Sequence, residues 1–508
     1  MIKKIKIFFS LFLVLVLLLG ALAYYDVKGG PNVRIFEKLG INFKVPIKIR
    51  TFLKEKIFYL PELQNKNKLQ RAQIEELKGI RKHAVELWYM MGDVGFQKIN
   101  AYFLNNKNIS TEHNDYQIKL FSLPFHNHGK TEAAILYAKL LKPVAYLEQT
   151  NDHVILATGN GIFFYFEKER VKDLVANQNL LLKYNDLELK TIKTNISEVI
   201  KNDRIFNNSD SGIRDLMILG NKIYVSYNET PNTECFNTLI MVADLNLDNL
   251  IFSEFFTYNE CVSDSNKKVS YNPVNAGSVL NSGGKMFSYK NGKILFTTGT
   301  YMDSVRAQNA DSMFGKILLI DLKTKKFQTM SMGHRNPQGL FYDKKNDVII
   351  STEHGPRGGD EININLKTDN ETIENFGWPI SSYGVHYGGV ETKEAPLYKS
   401  HKDHGFIEPI KYFVPSIAIS EIIKIPKTFN EEFINDFFIG SMGTFVGEGD
   451  LSIHHIRFNS KFDTIDFEDI IPIGQRVRDL ILLEKQKVVI SILENTPAIA
   501  FLKSSNKR

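Results

Sequence analysis

LFYDKKNDVIIST, Leu340 to Thr352, reads as a short strand, a tight polar turn and a second strand that ends in hydroxyl residues. The same cadence recurs as AYLEQTNDHVILATG from Ala145, LMILGNKIYVSY from Leu216, MFSYKNGKILFTTG from Met286 and LILLEKQKVVIS from Leu480. A sixth, looser copy with a longer insert is IIKIPKTFNEEFINDFFIGS from Ile422. Asn-Gly, Asn-Asp and Gly-Asn at the turns supply the positive φ angles that tight hairpins need. A third strand often follows: GIFFYF from Gly161, NTLIMVADL from Asn237, GKILLIDL from Gly315 and LSIHHIRF from Leu451. Six antiparallel units that cannot bury their faces alone predict an all-β fold, a six-bladed β-propeller over residues 137–505. A pair of β-sandwiches does not account for six copies. Long loops then gather at one end of a central channel, where such folds carry their sites.

The chain before residue 137 has a different texture. Lys3, Lys4 and Lys6 precede an apolar run from Ile7 to Tyr25, and Ala21-Leu22-Ala23 has the form of a cleavage site. Positive charge before an apolar core is the pattern of an export signal or a membrane anchor, so residues 1–26 read as one of the two. Residues 27–136 read as a helical extension, because Ile74, Leu77, Ile80, Ala84, Leu87 and Met91 recur at helical spacing. In an exported chain the two cysteines, Cys235 and Cys261, are candidates for a disulfide closing a loop of about 26 residues. A net charge of +6 over 508 residues, with no basic run interleaved with aromatics, argues against nucleic acid.

Three segments concentrate chemistry: GHRNPQGL (Gly333 to Leu340), TEHGPRGGDEIN (Thr352 to Asn363) and NFGWPISSYG (Asn375 to Gly384). Arg335 offers a permanently charged fork suited to an oxyanion. Gly355-Pro356 reads as a corner after the strand VIIST. Asp360-Glu361 can meet a cation or Arg357. In Gln475-Arg476-Val477-Arg478-Asp479, strand alternation sends both arginines to one side, where they repel unless an anion or an acid lies between them. His126-Asn127-His128 lacks a third metal ligand, and His454-His455, pointing to opposite faces of a strand, read as packing or surface residues.

The order and spacing of these motifs resemble the glucose/sorbosone dehydrogenase family, six-bladed quinoproteins that use pyrroloquinoline quinone (PQQ) and calcium. The resemblance is densest from Gly283 to Gly384 and from His404 to Asp479. It implies that Arg335 and Asn336 contact the quinone and that the carbonyls of Gly355 and Pro356 hold calcium. It also implies that Arg476 and Arg478 bind PQQ carboxylates and that Ser416 places a hydroxyl against the cofactor. The implied partners are a sugar substrate and an electron acceptor.

Departures from the family pattern are equally specific. Asn281, in NSGGK, stands where the family has the histidine that takes the sugar hydroxyl proton, and an amide cannot accept a proton near neutral pH. Gly443 stands where a lysine or arginine supports the quinone. Thr300 replaces an aspartate, with Asp303 nearby, and Ile419-Ser420-Glu421 departs from the usual continuation. His386, His401 and His404 are the candidate replacement bases. The expected function is an exported PQQ- and calcium-dependent sugar (aldose) dehydrogenase. The alternative is a catalytically degenerate propeller that binds a sugar or protein partner.

Overall fold

The computed structural model describes residues 99–123, 144–176, 187–200, 212–232, 235–263, 281–368, 372–386, 393–443, 449–495 and 498–505. The chain divides into two compact units, residues 1–83 and 84–508, and every described residue belongs to the second. The signal or anchor, the helical periodicity of residues 63–91 and the His126-Asn127-His128 cluster lie outside the described residues. Among the described residues no helix is long and apolar enough to cross a membrane.

The six predicted hairpins are the first two strands of six blades. In chain order these inner pairs are Ala145–Gln149 with His153–Thr158, Ile213–Leu219 with Lys222–Asn232, and Gly283–Tyr289 with Lys293–Thr298. They continue as Pro337–Asp343 with Val348–Glu353, Ile419–Ile425 with Asp436–Ser441, and Val477–Leu483 with Val488–Leu493. Each innermost strand packs beside that of the next blade, and the sixth packs beside the first, so the ring is closed. The turn chemistry is as expected: Asn291 and Gly292 have φ of 59° and 67°, and Asp347 and Gly220 have φ of 54° and 62°.

Closure uses a device the repeat does not announce. The last blade has only three strands from its own end of the chain; its outer strand is Asp115–Ser122, which pairs along its length with Ala498–Ser505. The preceding strand, Ile99–Ser110, pairs with Asp115–Ser122 and, at its start, with Leu187–Leu189 of the first blade. Within the segment read as helical extension, then, Ile99–Ser110 and Asp115–Ser122 are strands. The reason is visible in DYQIKLFS, whose residues alternate with period two rather than at helical spacing.

Position within a blade follows burial. Val348–Glu353 and Asp436–Ser441 are buried throughout, as strands covered on both faces must be. The outer strand Ile465–Ile471 begins with alternation between half-buried and exposed residues. One apolar cluster fills each of the six interfaces between neighbouring blades. Leu147, Leu156 and Phe164 of the first blade meet Ile481, Ile490 and Phe501 of the last, for instance. Ile350 and Ile362 meet Ile422 and Ile439 between the fourth and fifth. Burying one such side chain contributes about 1.5–3 kcal/mol, so these six seams hold the ring against its own entropy.

Candidate active site at the channel mouth

All six innermost strands run in the same sense around the ring, so their first residues collect at one end of the channel. Hydrogen bonds stitch these beginnings together. Gly283 N donates to Asn336 Oδ1 at 3.2 Å, Thr300 N to Arg335 O at 3.0 Å, and His354 Nε2 to Ile419 O at 2.7 Å. A recess at this end is lined by Asn281, Met302, Ser304, Arg335, Pro356, Trp378 and His386. It brings together four positions singled out in sequence: 281, 335, 356 and 386.

Arg335 and Asn336 are almost wholly buried rather than exposed. Arg335 Nη1 donates to His354 O at 2.9 Å, and the guanidinium lies 5.3 Å from the Trp378 ring centre, a cation–π geometry. Its backbone N donates to Glu353 Oε2 at 2.8 Å. Asn336 Oδ1 also accepts from Gln338 Nε2 at 3.0 Å. Both side chains are therefore fixed in advance of any ligand.

Arg476 and Arg478 do share one side, and an acid lies between them. Glu494 Oε2 is 2.8 Å from Arg476 Nε, and Glu494 Oε1 accepts from Arg478 Nε. Burial pushes the Glu494 carboxyl up, but Arg478 and Arg476 outweigh it and leave it below its ordinary value. One carboxylate for two guanidiniums leaves a positive charge. Arg476 Nη1 goes on to Met442 O, and Arg478 Nη1 approaches Gln338 Oε1 at 3.5 Å. Arg214, which opens the second blade, reaches the same oxygen, with Nη2 at 3.3 Å. Sequence reasoning passed over Arg214, Gln338, Trp378 and Glu494. A charged residue at the start of an innermost strand was the available signal for Arg214.

The Gly355 corner is tight: a Cβ there would sit 2.1 Å from Gly359 O. Asp360 stabilises the corner, accepting from Gly355 N at 2.9 Å and from Ile419 N at 3.2 Å, and so is occupied by backbone rather than by Arg357. Glu361 instead faces His401 Nε2 at 3.3 Å. The carbonyl oxygens of Gly355 and Pro356 accept no hydrogen bond from the described residues, which suits them to a hard cation. Among the described residues no group of three His, Cys, Asp or Glu side chains could hold a metal.

The substituted positions are also settled in place. Asn281 has φ of 79°, and its Nδ2 donates to Met302 Sδ at 2.8 Å. Thr300 Oγ1 donates to Arg335 O at 3.3 Å. Asp303 is paired with Arg306 at 2.7 Å and does not take over from Thr300. A side chain at Gly443 would collide with the Asp450 carboxylate, 1.8 Å from its Cβ. Ser416 is half-buried on the loop before the fifth blade. Cys261 is in a disulfide, and Val262–Ser263 pairs with Cys235–Phe236. The Cys235 side chain lies outside the described residues, so its pairing with Cys261 stays a proposal.

Among the histidines, His386 lines the recess and its Nε2 donates to Ala395 O at 2.6 Å. His401 stacks on Tyr383, and Glu361 holds its imidazole above the ordinary value despite burial. His404 stacks on Tyr398. His454 and His455 are both buried, neither at the surface; His454 Nε2 donates to Gly449 O at 2.9 Å and His455 Nε2 is 2.6 Å from Asp436 Oδ2. His354, which sequence reasoning left aside, is pushed down to about 4 by burial, against the pull of Asp360 and with Arg335 and Arg478 adding to the fall. It is a neutral imidazole at physiological pH.

Deeper in the channel, Lys285 Nζ meets Asp215 at 2.7 Å, Asp479 at 3.3 Å and Glu421. All four side chains are buried, and they come from the third, second, sixth and fifth blades.

Comparison with known proteins follows the same outline. The glucose/sorbosone dehydrogenase family profile matches residues 171–496. The aldose sugar dehydrogenase YliI of Escherichia coli is 28% identical over 211 residues, which cover 39% of this chain and 53% of that protein. The quinoprotein glucose dehydrogenase B of Acinetobacter calcoaceticus is 37% identical over 75 residues, 14% of each chain. The chain thus spans about half the length, or less, of these curated relatives. A crystal structure of a glucose dehydrogenase superposes with a TM-score of 0.56 at 19% identity, covering 72% of this chain and 97% of that one, and shows the same fold.

Proposed function

The chain belongs to the glucose/sorbosone dehydrogenase family, and on that footing we propose that it is an exported sugar (aldose) dehydrogenase dependent on PQQ and calcium. One observation carries this reading: Arg476 and Arg478 stand side by side at the channel mouth with a single carboxylate, Glu494, between them. A scaffold has no use for that excess of guanidinium, whereas a planar molecule with three carboxylates does. PQQ, when bound, supplies the hydride-accepting quinone. Arg476 and Arg478 would hold its carboxylates, Asn336 and the Ser416 hydroxyl would orient it, and Arg335 would set a positive charge beside it. The free carbonyls of Gly355 and Pro356 are the donors for calcium. Trp378 and Pro356 wall the recess in which a sugar hydroxyl lies, and the names of the curated relatives agree with a sugar substrate.

Export rests on Lys3, Lys4 and Lys6 ahead of the apolar run, which also offers a membrane tether if it is retained. The proposed reaction would need an electron acceptor, a quinone or a cytochrome. A second reading is favoured by Asn281, whose amide is tied to Met302 and cannot remove a proton, and by Gly443. It is a propeller that keeps the site but binds a sugar or protein without turnover.

The deciding experiment titrates PQQ with calcium into residues 30–508 by calorimetry, beside an Arg476→Ala, Arg478→Ala variant. Calcium-dependent binding that is lost in the variant supports the cofactor site. A folded protein that binds no PQQ overturns the quinoprotein reading and leaves the binding propeller.

A further inference from the structure

Arg214 is more than nine-tenths buried, yet no carboxylate among the described residues pairs with it. Its neighbour Asp215 is turned to Lys285 instead. Its bonds go to neutral acceptors: Nε to Gly283 O at 3.1 Å and Nη2 to Gln338 Oε1 at 3.3 Å. A buried cation with only carbonyl partners is costly, and a guanidinium has five N–H donors to place. Gly284 leaves room for its stem: a Cβ there would lie 2.4 Å from Arg214 Cβ and 3.0 Å from its Cγ.

Gln338 Oε1 has a second cation beside it, Arg478 Nη1 at 3.5 Å. Both contacts are long for a hydrogen bond to a charged donor, and one amide oxygen neutralises neither charge. A carboxylate in reach of both forks would satisfy each of them. We propose that Arg214 is a further anion-binding residue of the channel mouth, gripping, together with Arg478, one carboxylate of a planar polycarboxylate ligand. This builds on the cofactor reading above but adds a contact from the second blade, away from the Arg476-x-Arg478 strand.

The test uses residues 30–508 and two probes, pyridine-2,6-dicarboxylate alone and PQQ with calcium, read by calorimetry and by thermal unfolding. Arg214→Met keeps the stem and removes the charge; Arg214→Lys keeps the charge and removes the fork. The expected result is dicarboxylate binding at least tenfold weaker in Arg214→Met, partly recovered in Arg214→Lys. Unliganded Arg214→Met should unfold at or above the wild-type temperature, since a lone buried cation is gone. Wild-type affinity in Arg214→Met overturns the assignment. So does a fall in its unliganded unfolding temperature that Arg214→Lys restores, which marks a structural role. Dicarboxylate binding that depends on Arg214, without any PQQ binding, supports the assignment while sinking the quinoprotein reading. PQQ binding indifferent to Arg214 does the reverse, and a wild-type protein that binds neither probe overturns both.

Discussion

Lys285 Nζ lies 2.7 Å from Asp215 Oδ1, a fully buried ion pair joining the innermost strands of the third and second blades. Asp479 of the sixth blade and Glu421 of the fifth meet the same ammonium. Burial alone would lower the lysine's pKa, but Asp215, Asp479 and Glu421 hold it well above the ordinary value. Glu421 is raised well above its ordinary value, chiefly by burial. Removing the one cation strands the carboxylates, so Lys285→Met should lower unfolding stability by about 3–5 kcal/mol. Adding Glu421→Gln, which fixes that group in its neutral form, should recover part of the loss. Urea unfolding of the single and double variants decides it; a Lys285→Met protein within about 1 kcal/mol of wild type would show that the channel tolerates the bare carboxylates.

Glu148, on the first blade's innermost strand, gives the ring a pH dependence. Burial, with Asp215 and Asp479 adding to it, raises its carboxyl from 4.5 to about 7, against the hydrogen bonds it accepts from Gln149 N and Ile218 N. Asp215 is raised to about 6, again mainly by burial. A carboxyl whose folded pKa is raised holds its proton longer in the native state than in the unfolded chain. Its contribution is therefore full below the unfolded value and is lost as pH rises through the folded value. Wild-type stability should accordingly decline between pH 4.5 and pH 7 from this group. Glu148→Gln should decline less over the same interval, which urea midpoints at pH 5 and pH 7.5 will report. Parallel declines in the two proteins would place the titration elsewhere.

Much of this architecture was readable from the chain, and the exceptions have physical causes. Hairpins such as Leu340 to Thr352 declare themselves through local turn chemistry and buried middle strands. The closing strand Asp115–Ser122 does not, because its partner Ala498–Ser505 is at the far end of the chain and nothing local encodes that pairing. At the site, Arg335 and Pro356 were legible as motifs and do line one recess with Asn281. The pairing of Arg476 and Arg478 was legible as a need for an anion or acid, but which acid was not. Glu494 is two strands' length away in sequence and becomes their partner only through the register of Val477–Leu483 against Val488–Leu493. Arg214 was hidden for the same reason: its environment is made by Gly284 and Gln338 from other blades.

That dependence on Gly284 can be tested on stability alone. The residue has φ of +107°, a conformation that side chains rarely adopt, and any Cβ would meet the Arg214 stem. Gly284→Ala should lower stability by about 2 kcal/mol or more, from backbone strain and overpacking together. In an Arg214→Gly background, which removes the Cβ that lies 2.4 Å away, the overpacking part vanishes, so the same substitution should cost measurably less. Equal costs in the two backgrounds would mean that the backbone angle, not the arginine stem, is what requires glycine.

The last prediction concerns the proton. Asn281 lines the recess beside Arg335 and Trp378, at the position where the family pattern has its histidine. Its φ of 79° is a left-handed conformation in which Asn, Asp and His are enriched, so a histidine fits the backbone. Asn281→His gives up the amide contact to Met302 and adds an imidazole that can take a hydroxyl proton. If the protein oxidises sugars with PQQ and calcium, this variant should raise kcat by about 10²–10⁴-fold, the usual contribution of a placed base. The gain should appear as pH rises through about 6.5, because only the neutral imidazole accepts a proton. Asn281→Gln, with an amide and no base, should show no gain. A dye-linked assay with a panel of aldoses over pH 5–9 reads all three proteins. Unchanged turnover in an Asn281→His protein that still binds PQQ would show that another group at the channel mouth already removes the proton, or that the bound cofactor is not put to work.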